Sequence, residues 1–176
     1  MPLHILIFYL LFGSTSETII SAGKPIDDFI FGKTTLKEIK EKFGKMETKS
    51  IPVNNFAGGE TNGELLAYTY QTHYKQSGML FETMHSSSPD SSETSTLLVI
   101  RFYPESQVVT DKEITFGDSK EKVISKYGKP DLDIGNLIAY KGIAFYIEGQ
   151  SISSAQGSKN DLQKKVKVIL VSQFPK

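Results

Sequence analysis

Residues 31–45 read FGKTTLKEIKEKFGK, and residues 116–129 read FGDSKEKVISKYGK. One insertion in the first stretch aligns them. Phe31 and Gly32 then match Phe116 and Gly117, Thr35 matches Ser119, Ile39 matches Val123, Phe43 matches Tyr127, and Gly44 matches Gly128. Each stretch is predicted to be a short helix. Thr35 and Ser119 are good N-caps, because a side-chain oxygen there accepts from free backbone N–H groups of the first turn. Glu38 follows Thr35 by three, which makes a capping box. Apolar residues at 36, 39 and 43, and at 123, 124 and 127, line one helix face. Gly44 and Gly128 stand where a left-handed C-terminal residue belongs, and Pro130 prevents continuation. Lys37 with Glu41 and Glu38 with Lys42 are spaced to pair on the solvent side. Helices this short need packing to persist, and a sheet is the expected partner.

Strand signals follow each helix in the same order. After the first come LLAYTYQTHY (65–74), residues 79–84 beyond the turn-like KQSG, and LLVIRFY (97–103). After the second come residues 137–140, residues 143–148 beyond Lys141-Gly142, and VKVILVSQF (166–174). These runs are rich in Val, Ile, Tyr and Phe and joined by short turns, as antiparallel hairpins require. Polar loops at 85–96 and 149–165 fall between the second and third strand of each set, and their serine and glycine content predicts mobility. The expected fold is α+β: two tandem helix-plus-antiparallel-sheet repeats, with the helices packed on one face of the sheet. Residues 24–106 form repeat one and residues 107–176 repeat two.

Residues 1–23 read as a signal peptide. The run LHILIFYLLF (3–12) is too short to span a bilayer but has the length of a leader core. Small residues follow at 13–16 and again at 21–23, and either stretch can hold the cleavage site. No lysine or arginine precedes the run; the first is Lys24. The expected location is secreted or periplasmic, with no stable membrane span after cleavage. The 176 residues carry 20 Lys plus Arg against 20 Asp plus Glu. This balance lacks the basic excess on which nucleic-acid affinity rests, so no nucleic-acid partner is expected. There is no cysteine, which removes disulfides, thiolate metal sites and cysteine nucleophiles together.

The stretch ITFGDSKEKVISKYGKPD (114–131), followed by a tyrosine strand and a Gly-Ile strand, resembles repeats of the beta-lactamase inhibitor protein (BLIP)-like superfamily. That group includes the BLIP-type inhibitors and, in single copy, the SmpA/OmlA outer-membrane assembly lipoproteins. The resemblance covers roughly residues 26–174. It implies a helical layer on one sheet face, with the other face and its loops free to bind protein. Two departures matter: the inhibitors carry disulfides and the lipoproteins a lipidated cysteine, and this chain has neither. No inhibitor contact residue carries over, because fold does not fix function.

No catalytic residues and no cofactor are expected. Of the three histidines, His73 and His85 stand twelve apart without helical metal-ligand spacing. A pair completed by Glu82 or Asp90 is the only metal arrangement to weigh, and no metal site is assigned. Gly-x-Ser-x-Gly, phosphate-loop and dinucleotide fingerprints are absent. Asp27-Asp28 and Asp131 with Asp133 read as turn residues rather than a calcium loop. What remains is surface recognition. Strand alternation puts Gln71 and His73 on one face of their strand, and Arg101 and Tyr103 with Leu97 and Val99 on one face of theirs. Tyr146 and Glu148 share a face of the second hairpin. The candidate binding residues are therefore Gln71, His73, Arg101, Tyr103 and Tyr146, with a protein partner expected because exposed tyrosine and arginine suit interfaces. The plainer reading is a solvated sheet face. The expected function is an exported, non-catalytic protein-binding module, inhibitor-like in its use of the open sheet face and loops; the alternative is a periplasmic envelope-assembly or structural factor. A small hydrolase using His73 or His85 is the third reading.

Overall fold

A computed structural model describes residues 18–57, 60–85, 89–148 and 164–172, with the side chains of 54–57, 60–66 and 89–91 left aside. The expectations for the apolar run 3–12 and for nearly all of the loop 149–165 lie outside the described residues. The fold is α+β, with two helices, a mainly antiparallel eight-stranded sheet and a two-stranded parallel sheet.

Helix α1 (Leu36–Phe43) and helix α2 (Lys120–Tyr127) lie where the periodicity places them. Thr35 Oγ1 accepts from the Glu38 amide at 3.3 Å, and Glu38 Oε2 accepts in return from the Thr35 amide at 2.7 Å. At α2 the Ser119 hydroxyl accepts from the Lys122 amide at 3.1 Å. Two local expectations need correction. Glu38 is held by its cap, so Lys42 pairs instead with Asp27 at 2.9 Å; Lys37 and Glu41 do approach, at 3.9 Å on the surface. The helix-terminal glycines take positive φ with extended ψ (Gly44 φ 91, ψ 164) rather than the left-handed helical conformation. That region is essentially glycine-only, so glycine is still required there.

The large sheet runs β2 (Thr48–Ala57), β3 (Glu60–Tyr74), β4 (Met79–His85), β5 (Thr96–Phe102), β10 (Val166–Ser172), β9 (Ile143–Ile147), β8 (Leu137–Tyr140), β7 (Leu132–Asp133). The short strands β1 (Thr18–Ile20) and β6 (Val108–Thr110) pair in parallel. Of the strands outside the expected set, β2 carries Pro52, which an edge strand tolerates because its outward N–H needs no partner. Within the loop 85–96, residues 89–96 are more ordered than their composition predicts. Residues Pro89–Thr94 form a 3-10 turn, Lys40 reaches Glu93 at 2.7 Å, and buried Ser95 bonds Thr83 through their hydroxyls at 2.6 Å.

Both helices pack on the same sheet face. Phe43 of α1 meets Tyr74 and Phe81, with ring centroids 5.4 and 5.2 Å away. Tyr127 of α2 meets Tyr140 and Phe145 at 5.1 and 5.3 Å. Phe81 pairs across to Ile100, and Phe145 to Ile169. All four are fully buried in one continuous core. Each helix is also latched at both ends by the same bonds. Leu36 N donates to Ser95 O, and Leu97 N to Thr34 O; Lys120 N donates to Lys164 O, and Val166 N to Asp118 O. The hydroxyl of Tyr74 donates to Gly44 O at 2.8 Å, and that of Tyr140 to Gly128 O at 3.0 Å. These carbonyls close the helix C-termini, where the backbone lacks intrahelical donors.

Burial, helped by the negative charge of Asp133, pushes the Tyr140 hydroxyl from 10.0 up to about 12. The unfolded chain then releases this proton before the folded one does. The stability contributed by the protonated group is constant below pH 10 and is lost as pH rises from 10 through about 12. Tyr140→Phe removes that slope and costs about 1 kcal/mol at neutral pH through the lost bond to Gly128. Urea titrations of both proteins from pH 7 to 12 measure the two effects separately.

Candidate functional site

The sheet face away from the helices carries four of the five expected binding residues at its first-half end. Gln71 faces Glu82 across the β3–β4 ladder, and His73 faces Leu80, which in turn faces Arg101 on β5. One expectation about β5 fails. Leu97 does not share a face with Arg101: the register shifts after Glu82, which pairs with Val99 while Thr83 pairs with Leu97. The extra residue, Leu98, sits in a bulge, which reverses the alternation. Leu97 therefore enters the core at 1% exposure, and Val99 and Arg101 take the open face.

Glu82 organises this end, and the sequence reading missed its role. Its side chain is nine-tenths buried and accepts from Arg101 Nη2 at 2.5 Å and from Gln71 Nε2 at 3.1 Å. Arg101 is about three-quarters buried, and its Nε is buried with no hydrogen-bond partner among the described residues. The signal for Glu82 was present: a carboxylate inside the apolar strand MLFETMH needs a paired partner to be retained there. Beside this group the rings of His73 and Tyr103 meet at a tilt, with centroids 5.2 Å apart and planes at 34°. Tyr103 is fixed by its amide, which donates to Gly78 O at 2.8 Å.

Tyr146 lies away from this cluster, on β9, between Leu137 and Val168. The ladder there has a polarity opposite to that of the first half. Gln71 stands three residues before Tyr74 and opposite Glu82; Leu137 stands three before Tyr140 and opposite Tyr146. His73 faces Leu80, and Ala139 faces Ala144. Arg101 pairs directly with Leu170 across the junction of the two halves. One face thus has a half with a mostly buried ion pair and a half whose ladder pairs are largely apolar, with an exposed ion pair of Lys167 and Glu148 at 3.4 Å.

His73 and His85 do not come together. His85 pairs with Tyr68, at the far end of the hairpin from the His73–Leu80 pair, and strand alternation puts it on the opposite face. Five residues of strand separate the two by about 17 Å. Asp27 and Asp133 serve as ion-pair partners, Asp27 to Lys42 and Asp133 to the buried Lys120 at 3.0 Å. Among the described residues no group of three or more His, Asp or Glu side chains is placed to hold a metal ion, and no helix is long and apolar enough to cross a membrane. No family model matches the chain, and neither a curated protein nor a solved structure matches it.

Removing one partner from a mostly buried ion pair leaves an uncompensated charge, whereas replacing both with apolar groups is often neutral. Glu82→Gln is therefore expected to destabilise the protein by about 2 kcal/mol. The double variant Glu82→Leu, Arg101→Leu, which imitates the apolar half, should stay within about 1 kcal/mol of the parent. Denaturant unfolding of the single and double variants makes the comparison.

Proposed function

We propose that this chain is an exported, non-catalytic protein-binding module made of two tandem copies of one helix-plus-sheet unit. The repeat reading is supported by the paired helix latches, the two aromatic triads, and a bulge at the same place in each third strand, Leu98 and Lys167. It is supported too by the sheet order, which runs through four strands and then through their counterparts in reverse. Arg101 and Leu170 are counterparts and pair with each other, so a local two-fold axis would pass between them.

The observation that carries the binding reading is the divergence of matched open-face positions: Gln71, Glu82 and Arg101 on one side, Leu137, Tyr146 and Leu170 on the other. A merely solvated face has no need of a buried Glu–Arg pair in one copy and, at the matched positions of the other, of apolar and tyrosine side chains with the nearest ion pair, Lys167 with Glu148, exposed at the strand end. A partner with one polar and one apolar contact area fits both. His73, Tyr103 and Tyr146 would supply the aromatic contacts that interfaces favour. In this reading the partner is a protein, and an enzyme whose cleft is occupied would be inhibited. If the partner is an outer-membrane protein under assembly, the role is that of an envelope factor.

The test is site-specific photo-cross-linking in secreted and envelope fractions of the host. A photoreactive residue at His73 or at Tyr146 is expected to capture the same protein, and one at Lys37 on the helical layer to capture none. Glu82→Leu, Arg101→Leu should abolish capture while leaving the protein folded. Equal capture from Lys37, or none from the sheet face, overturns the proposal. The captured protein's identity separates inhibition from envelope assembly.

A further inference from the structure

Two stretches near the N-terminus offer the small residues at −3 and −1 that leader cleavage requires. Ser14 and Ser16 would place the cut before Glu17; Ser21 and Gly23 would place it before Lys24. Periodicity and composition do not distinguish them, but the fold does. Residues 18–23 are a working part of the second half of the molecule. Strand β1 pairs in parallel with β6, residue for residue from Thr18↔Val108 to Ile20↔Thr110. Ile20 is 2% exposed and belongs to the core, and its carbonyl accepts from the Asp111 amide at 2.8 Å. The chain then reaches the β8–β9 turn, where the Gly23 amide donates to Gly142 O at 2.9 Å. The approach is so close that a Cβ on Gly142 would lie 2.4 Å from the Gly23 nitrogen.

The first half shows what this contact replaces. Its corresponding turn, at Gly78, is covered by the 3-10 turn Pro104–Ser106 that follows β5, and a Cβ on Gly78 would meet the backbone of Ser106. The N-terminal segment covers the turn of the second half in the same way. A cut before Lys24 would remove β1, take Ile20 out of the core, strip β6 of its strand partner, and leave Gly142 without its neighbour.

Resting on the leader reading proposed above, we infer that the leader is removed between Ser16 and Glu17, so that the exported chain keeps β1 as a strap across the second half. The reaction is hydrolysis of one peptide bond by a signal peptidase: water supplies hydroxide to the Ser16 carbonyl and a proton to the Glu17 amine.

The experiment expresses the full chain with its own leader in a Gram-negative host, recovers the exported form, and reads its N-terminus by sequencing and intact mass. A chain beginning at Glu17 is the expected result. A chain beginning at Gly23 or Lys24 overturns the inference and leaves the leader reading standing. An unprocessed mass overturns the leader reading itself. In parallel, the thermal midpoint of residues 17–176 is compared with that of residues 24–176 and of Ile20→Ala in the longer chain. Both changes should lower it, the truncation by about 5 °C or more; unchanged midpoints would remove the strap from the argument.

Discussion

The antiparallel pairing of β5 with β10 turns two hairpin groups into one sheet. Four residue pairs form it, from Phe102↔Ile169 to Val99↔Ser172. Ile100 and Phe102 of one strand thereby lie beside Val171 and Ile169 of the other, and all four are buried beneath the helical layer. Neither half alone has this central strip of core. A small unit buries too little apolar surface to be comfortably stable, and edge-to-edge joining removes the most vulnerable edge of each half as well. The same pairing decides the opposite face, because Arg101 and Leu170 are brought together by it and mark where polar surface meets apolar surface.

The helices were legible because their information is local. Caps at Thr35 and Ser119, apolar spacing, and terminal glycines all fall within a dozen residues. Strands β3, β4, β5, β8, β9 and β10 were legible for a similar reason: each is an apolar or aromatic run next to its hairpin partner. What escaped was set by distant chain. Strand β2 holds two asparagines and a proline and exists by pairing with β3. Strand β1 exists by pairing with residues about ninety positions away. The bulge at Leu98 escaped because a period-two reading has no local sign of an inserted residue, and so Leu97 was placed with Arg101 instead of in the core.

The candidate site was half legible for a different reason. Alternation alone grouped Gln71 with His73 and Arg101 with Tyr103, and both pairs do lie on the open face. It could not show that Glu82, on the strand between, joins the two groups. That requires the strand order β3-β4-β5 and a register in which Gln71 faces Glu82. Tyr146 was grouped with these residues by type, yet its neighbours are Leu137 and Val168. The chemistry of the face was therefore readable residue by residue, while its division into two halves was a property of the fold.

That division bears on why the ion pair persists. Burying Glu82 and Arg101 incurs desolvation that their attraction only partly offsets. If the two halves are the repeats proposed, the positions matched to Glu82 and Arg101 hold Tyr146 and Leu170, which carry no charge. Stability is thus a poor reason for the pair, and helix packing is no reason at all, since the pair lies on the other face. The Arg101 guanidinium, moreover, uses Nη2 on Glu82 and leaves its buried Nε without a partner among the described residues. That donor is buried rather than open to a partner, so it adds an unsatisfied polar group to the desolvation of the pair. The ion pair is therefore better explained by a demand on the open face than by stability, which is the demand that the proposed recognition surface would make.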